Sequence, residues 1–121
     1  MDKEQALQTF WSQFGVEAYD ENSVPDDAEL PYITYEVSTD NFDNQVYLSG
    51  SIWSRSKSWA TVINISHNVE AAVGYGGQTI GYDNGLIWVK RGAPFSRRMG
   101  DPDDSIKRII INIEVEYISE V

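Results

Sequence analysis

Carboxylate pairs are the first residues in this chain whose type and spacing suit chemistry. Asp26-Asp27 and Asp103-Asp104 are adjacent acids, and paired carboxylates serve both acid–base catalysis and calcium binding. The stretch that begins at Asp101 lacks the sixth-position glycine and the distal glutamate of an EF-hand loop. We therefore interpret both pairs as solvated loop acids.

Metal-dependent and nucleophilic chemistry lack the residues that they need. His67 is the single histidine and there is no cysteine, so a zinc site would require three carboxylates around His67. No serine has the glycine-flanked setting of a hydrolase nucleophile. The Gly-rich run over residues 74–81 follows a helix pattern and enters a strand pattern, the reverse of a phosphate-binding loop. We expect no catalytic residue, no cofactor, no metal and no enzyme activity.

Charge is distributed unevenly along the sequence. The net charge is −10, yet residues 1–43 contain eleven carboxylates and one base, whereas residues 44–121 contain eight acids and eight bases. Six of those bases lie between Lys90 and Arg108. Complementary fields steer encounters and fix register, so the asymmetry favours head-to-tail association. Ordinary solubilising charge is the alternative interpretation.

An aromatic ring and three arginines follow Lys90 closely, a combination that suits a nucleic-acid backbone. The negative charge of the whole chain opposes sequence-specific or free DNA binding. It does not oppose contact with DNA that passes through a ring. The stronger hypothesis pairs these arginines with acids of an adjacent subunit. The predicted protein-interface residues are Asp26, Asp27, Glu29, Arg91, Phe95, Arg97 and Arg98.

Hydrophobic spacing predicts two helices that position these residues. Apolar side chains at i, i+3, i+4 and i+7 predict a helix over residues 2–14, with Asp2 as its cap. A second apolar stripe predicts a helix over residues 59–73, with Ser56 or Ser58 as its cap. Each stripe is one-sided, so both helices are expected to pack on one face only.

Alternating patterns predict two antiparallel hairpins. Residues 32–37 pair with residues 46–53 around turn chemistry at residues 40–44. Residues 78–82 pair with residues 86–89 around the tight turn Asp-Asn-Gly.

The last strand has the clearest pattern in the chain. Isoleucines, a valine and Tyr117 alternate with more polar residues from Ile109 onward, over about twelve residues against a usual five or six. Such a strand is either central in a sheet or projects toward a neighbour. The sequence thus predicts an α+β fold: an antiparallel or mixed sheet with two helices packed on it, in the order α-β-β-α-β-β-β, as a single domain over residues 1–121.

Two stretches have no hydrophobic period and are predicted to be long exposed loops. The acidic segment, residues 17–29, surrounds Pro25, and the basic segment, residues 90–104, contains the breakers Gly92 and Pro94. Long loops in compact domains often bind partners. These two segments are therefore the candidate interaction surfaces.

No apolar run approaches the roughly 20 residues that a membrane helix needs. The acidic start Met1-Asp-Lys-Glu is unlike a signal peptide, and a cysteine-free chain fits a reducing compartment. We expect no membrane contact and folding in the cytoplasm.

Several stretches together carry a resemblance to one known family, and they span most of the chain. They are the Trp-containing first helix, Val24-Pro-Asp-Asp-Ala-Glu-Leu-Pro-Tyr-Ile-Thr-Tyr, Ser58-Trp59 at the second helix, Leu86-Ile-Trp-Val-Lys-Arg-Gly-Ala-Pro-Phe, and Lys107-Arg108 before the last strand. In this organisation the chain resembles the tail terminator, or tail completion, proteins of long-tailed phages and prophages, particularly those of Gram-positive hosts.

That resemblance implies a virion protein made in the host bacterial cytoplasm. It would form a hexameric ring at the tail–neck junction, cap the tail tube protein, stop its polymerisation and offer a docking surface to the head-neck stopper protein. The resemblance implies no cofactor. Two alternatives remain: another phage neck or head-completion protein, or a small-ligand-binding domain with a pocket lined by Tyr47, Trp53, Tyr82 and Trp88.

Overall fold

The computed structural model describes residues 1–38 and 45–119. Within these residues the chain forms two helices and one sheet of six strands. The predicted α+β class is confirmed, and the order of elements has one strand more than predicted. The elements are α1 (Lys3–Trp11), β1 (Glu17–Asp20), β2 (Tyr32–Tyr35), β3 (Gln45–Arg55), α2 (Ala60–Val73), β4 (Gln78–Tyr82), β5 (Gly85–Met99) and β6 (Ile106–Ser119). No helix in the described part of the chain is long and apolar enough to cross a membrane.

Helix α1 begins with the predicted capping box. Asp2 accepts a hydrogen bond from the Gln5 amide at 2.8 Å, and the Gln5 side chain accepts one from the Asp2 amide at the same distance. These bonds satisfy amides that a helix start otherwise leaves unpaired. The helix ends at Trp11, earlier than predicted, and buries Phe10 and Trp11 completely.

Helix α2 confirms the second apolar stripe, but the predicted serine cap is wrong. Trp59 occupies the cap position without a side-chain hydrogen bond, while the Ser58 hydroxyl accepts from the Ala60 amide at 3.1 Å. Gly74 follows the helix with a φ of 62°, a backbone conformation that glycine adopts without steric cost. The helix therefore starts from a local serine turn and stops at glycine.

The sheet order is β1-β2-β3-β6-β5-β4. Strands β1 and β2 are parallel, and every other described pair is antiparallel. Both predicted hairpins are confirmed, with Tyr32 opposite Trp53 in the first and Gln78 opposite Val89 in the second. The turn predicted at residues 40–44 lies outside the described residues. Strand β6 lies between β3 and β5, which confirms a central position for the last strand.

Both helices pack on one face of the sheet, which we call the covered face. On β6 the covered face carries Ile109, Ile111, Ile113 and Val115, all buried. The intervening side chains are only half-buried and define the open face. The core therefore lies between the covered face and the two helices.

The acidic segment is not wholly a loop, because its first residues form β1. Glu17–Asp20 pairs in parallel with β2. The strand is short and buries only Ala18, so its sequence shows no alternation that could predict it.

The basic segment is also mostly strand, which corrects the predicted loop over residues 90–104. Strand β5 continues to Met99, with a bulge between Arg91 and Ser96. In the bulge a Cβ on Gly92 would lie 2.8 Å from the Asn112 carbonyl oxygen. The Gly92 and Pro94 that signalled a loop are thus the residues of a bulge.

Candidate interaction surface

The predicted acidic residues follow β1, which is one edge strand of the sheet. Asp26, Asp27 and Glu29 are all exposed. Within residues 1–38 and 45–119 none of these three carboxylates has an ion-pair partner. Their charge is therefore free to meet another molecule.

Two of the predicted arginines are exposed at the far end of β5. Arg97 lies opposite Ile110, and Arg98 lies opposite the buried Ile109. Because side chains alternate along a strand, Arg98 lies on the covered face and Arg97 on the open face. The Arg98 guanidinium is 5.0 Å from the centre of the Trp59 ring, a cation–π distance. The two guanidinium groups thus flank the strand on both faces.

Arg91 has a different setting because it interacts within its own chain. Its guanidinium lies 3.8 Å from the Glu70 carboxylate and donates to the Glu70 carbonyl at 3.3 Å. It also lies over the rings of Tyr75 and Phe95, at 4.8 and 5.8 Å. Phe95 is half-buried against the core. Arg91 therefore joins β5 to α2, whereas Arg97 makes no ion pair within the described residues.

The acidic and basic residues do not meet within one chain. The acids follow β1 at one side of the sheet, whereas Arg97 and Arg98 lie on β5, four strands away in the sheet order. A contact that repeats head to tail needs two different complementary surfaces on each copy. The acids after β1 and the arginines on β5 are two such surfaces.

Two edge strands of the sheet are contacted by glutamine side chains, one from α1 and one from the residues that follow it. At β1, the Gln8 side chain donates to the Ala18 carbonyl at 3.2 Å. At β4, Gln13 and Gln78 exchange side-chain amide hydrogen bonds at 3.0 Å. Such coverage is typical of native proteins, since a bare edge is a template for pairing with other chains.

The outer edge of β5 beyond the bulge is different. Strand β4 pairs only with residues 85–89, so in the described part of the chain no strand pairs with the outer side of residues 96–99. A groove of about 300 Å³ separates this edge from α2. Its lining residues are Ile63, Ser66, His67, Glu70, Ser96, Arg97, Arg98 and Ile109. The sequence did not predict this groove, because its two walls, on α2 and on β5, come from residues more than twenty positions apart.

The acids near the end of the chain's last loop form a turn. Asp101 accepts from the Asp103 amide, and Asp103 accepts from the Ser105 amide, both at 2.9 Å. The hydrogen bonds from Ser105 lower the pKa of the Asp103 carboxyl. These contacts support the interpretation of the second acid pair as turn residues. In the described residues no group of three or more His, Asp or Glu side chains is placed to hold a metal ion.

Three of the four aromatic residues of the ligand-pocket alternative, Tyr47, Trp53 and Trp88, differ in their contacts and exposure. Trp53 donates to the Thr34 hydroxyl at 3.0 Å, and Trp88 donates to the Gly76 carbonyl at 2.9 Å. Tyr47 is 74% exposed. Each of these three side chains therefore has a separate surrounding.

Comparison with known proteins shows what the fold is similar to. No family model matches the chain, and no curated protein matches it. A solved structure described as the virion of a native gene transfer agent (GTA) particle contains a chain with a TM-score of 0.57 to this one. The two are 15% identical, and the match covers 96% of this chain and 85% of that chain. At this identity the similarity concerns the fold.

Proposed function

We propose that this chain is a structural protein of a phage-type virion, and specifically a tail terminator. In this role copies form a ring on the end of the finished tail tube, stop its polymerisation and join the tail to the head at the tail–neck junction. The protein acts by assembly, without a cofactor or a catalysed reaction. The observation that carries the proposal is the placement of free acidic and free basic side chains at separate edges of one sheet.

The charge pattern explains how copies would associate. Asp26, Asp27 and Glu29 of one copy face Arg97 and Arg98 of the next, so each contact leaves one acidic and one basic surface available. A heterologous contact of this kind forms a closed ring when the rotation from one copy to the next permits it. The family resemblance implies that this ring is a hexamer. The fold similarity to a chain of a virion particle supports the same class of protein.

Purified chain mixed with tail tubes tests the proposal. Electron microscopy should show rings on tube ends, and added chain should shorten tubes that are still polymerising. The double variant Arg97→Glu, Arg98→Glu should abolish capping at low salt, because it places acid against acid. The matched control, Arg55→Glu with Lys57→Glu, reverses two exposed bases elsewhere and should still cap.

Two results would contradict this role. Tube ends that remain bare in the presence of native chain would exclude a terminator. Binding to tail-less heads in place of tubes would instead assign the chain to the head side of the neck, as a head-completion protein.

A further inference from the structure

We propose that residues 27–30 of a second copy add as a strand to the outer edge of β5 at residues 96–99, in the groove between that edge and α2. This inference rests on the proposed assembly of copies and specifies the contact between them. Strand addition supplies main-chain hydrogen bonds between the copies, and these fix the geometry of a contact that charge alone would not define.

The backbone of the receiving edge is available. Because the ladder between β4 and β5 ends at the pair of Gln78 and Val89, the outward N–H and C=O groups of residues 96–99 have no strand partner among the described residues. The β1 and β4 edges of the same sheet are contacted by the side chains of Gln8 and Gln13. An extended segment that joins an exposed edge gains main-chain hydrogen bonds, while pockets beside the edge select its side chains.

The groove has a mixed lining that suits an amphipathic strand. Ile63 of α2 and Ile109 of β6 contribute apolar surface beside the covered face of the edge. Arg97 lies on the other face, opposite Ile110, and makes no ion pair within the described residues. The same side of the groove also carries polar side chains, those of Ser66, His67, Glu70 and Arg98. An incoming strand therefore meets apolar and polar groups on the covered face and the cation of Arg97 on the other.

The acidic segment has the matching pattern. Asp27-Ala-Glu-Leu30 alternates acid and apolar residues with a period of two, as a strand with one polar face requires. Asp27 and Glu29 are exposed, while Ala28 and Leu30 are half-buried. With Ala28 and Leu30 toward the isoleucines, both carboxylates lie on the side of Arg97. This complementarity selects a second copy as the occupant.

Disulfide trapping tests whether side chains 27–30 alternate between the two faces of the added strand. The native chain has no cysteine that would interfere. Ser96 lies opposite the buried Ile111, so it shares the covered face with the incoming Ala28 and Leu30. A Ser96→Cys chain mixed with an Ala28→Cys or Leu30→Cys chain should give oxidised heterodimers. Mixed with Asp27→Cys or Glu29→Cys, it should give a yield lower by about tenfold, because these side chains point to the other face.

A control separates geometry from charge, since those two low-yield variants also lose a carboxylate. An Ala28→Cys chain that additionally carries Asp27→Asn has one carboxylate fewer but the favourable face. It should retain most of its heterodimer with Ser96→Cys. Equal yields at all four positions from 27 to 30 would overturn strand addition.

Hydrogen exchange of the full chain supplies a second readout. On capped tubes, the outward amides of residues 96–99 should exchange about tenfold more slowly than in the dilute chain, because they become hydrogen-bonded. Capped tubes with unprotected amides and no trapped heterodimer would overturn this inference and leave the proposed function intact. Trapped, protected dimers that never cap tubes would support strand addition and exclude the terminator role.

Discussion

The two halves of β5 have opposite surroundings, although they belong to one strand. Residues 85–89 lie between β4 and β6, and their side chains Ile87 and Val89 are completely buried. Among the described residues, β6 is the one strand that pairs with residues 96–99, and most of their side chains are exposed. The first half belongs to the core, and the second half presents both a backbone edge and two arginines.

The bulge between Arg91 and Ser96 separates these halves. Its four residues face Asn112, whose side chain donates to the Pro94 carbonyl at 2.9 Å. Bulges end or redirect pairing and re-aim side chains. After the bulge β5 therefore no longer pairs with β4 but still pairs with β6. We infer that the outer edge of residues 96–99, which has no β4 beside it, serves association.

The largest expected effect is on the core half. Ile87→Ala should lower the free energy of unfolding by about 2–5 kcal/mol, because it removes buried methyl groups and leaves a cavity. Urea denaturation measures the loss. The matched control is Ile110→Ala on the half-buried open face, where a smaller loss is expected. Equal losses would show that the open face is as well packed as the covered face.

A change at the bulge should have the next largest effect. Gly92→Ala places a Cβ 2.8 Å from the backbone of Asn112, and overpacking of this kind costs about 1–3 kcal/mol. Gly100→Ala is the control, since a Cβ there meets nothing within 4 Å. If both variants unfold at the same urea concentration, that result would contradict the close approach of β5 to β6 at the bulge.

Tyr117, opposite Ile87 in the core half, makes stability depend on pH. Burial raises the pKa of its phenol to about 12, above the ordinary value near 10. The folded state thus holds the proton more tightly, so stability is fully present below about pH 10 and is lost as pH rises toward about 12.

Replacement by phenylalanine should remove this pH dependence. Tyr117→Phe also loses the hydrogen bond to the Ser38 carbonyl, 2.8 Å long, at a cost of about 0.5–1.5 kcal/mol at neutral pH. Its stability should then fall less steeply above about pH 10. Tyr47→Phe, at an exposed position, should keep the native slope. An identical slope in all three chains would contradict a buried Tyr117 phenol.

Much of the fold follows from the sequence because its core elements have regular apolar spacing. The apolar stripe over residues 7–14 and the alternation from Ile109 each point one face into the core, so the period alone predicted both elements. The short turn before Gly85 predicted the second hairpin. These signals are local, and local spacing is what a sequence displays directly.

The edges could not be predicted in the same way. Residues 17–20 bury a single side chain, and residues 96–99 have exposed side chains on both faces, so neither shows alternation. Their strand structure comes from hydrogen bonds to the separate strands β2 and β6, which no pattern within the two segments displays. The candidate residues were named from charge, yet only the structure distinguishes Arg91, paired with Glu70, from the free Arg97.

The smallest expected effect on stability is in the edge half of β5. Arg97→Ala should change the free energy of unfolding by less than about 0.5 kcal/mol, since an exposed side chain without an ion pair has little to lose. Arg98→Ala should cost about 0.5–1 kcal/mol, because it removes the cation from the Trp59 ring. Both are measured by urea denaturation.

Association should reverse this order. If Arg97 meets Asp27 and Glu29 of the next copy, Arg97→Ala should reduce tube capping more than Arg98→Ala, although it costs less stability. Added salt should weaken capping by the native chain and narrow its difference from Arg97→Ala, since exposed ion pairs are screened. Capping that follows stability across the two variants would mean that the edge half of β5 only supports the fold.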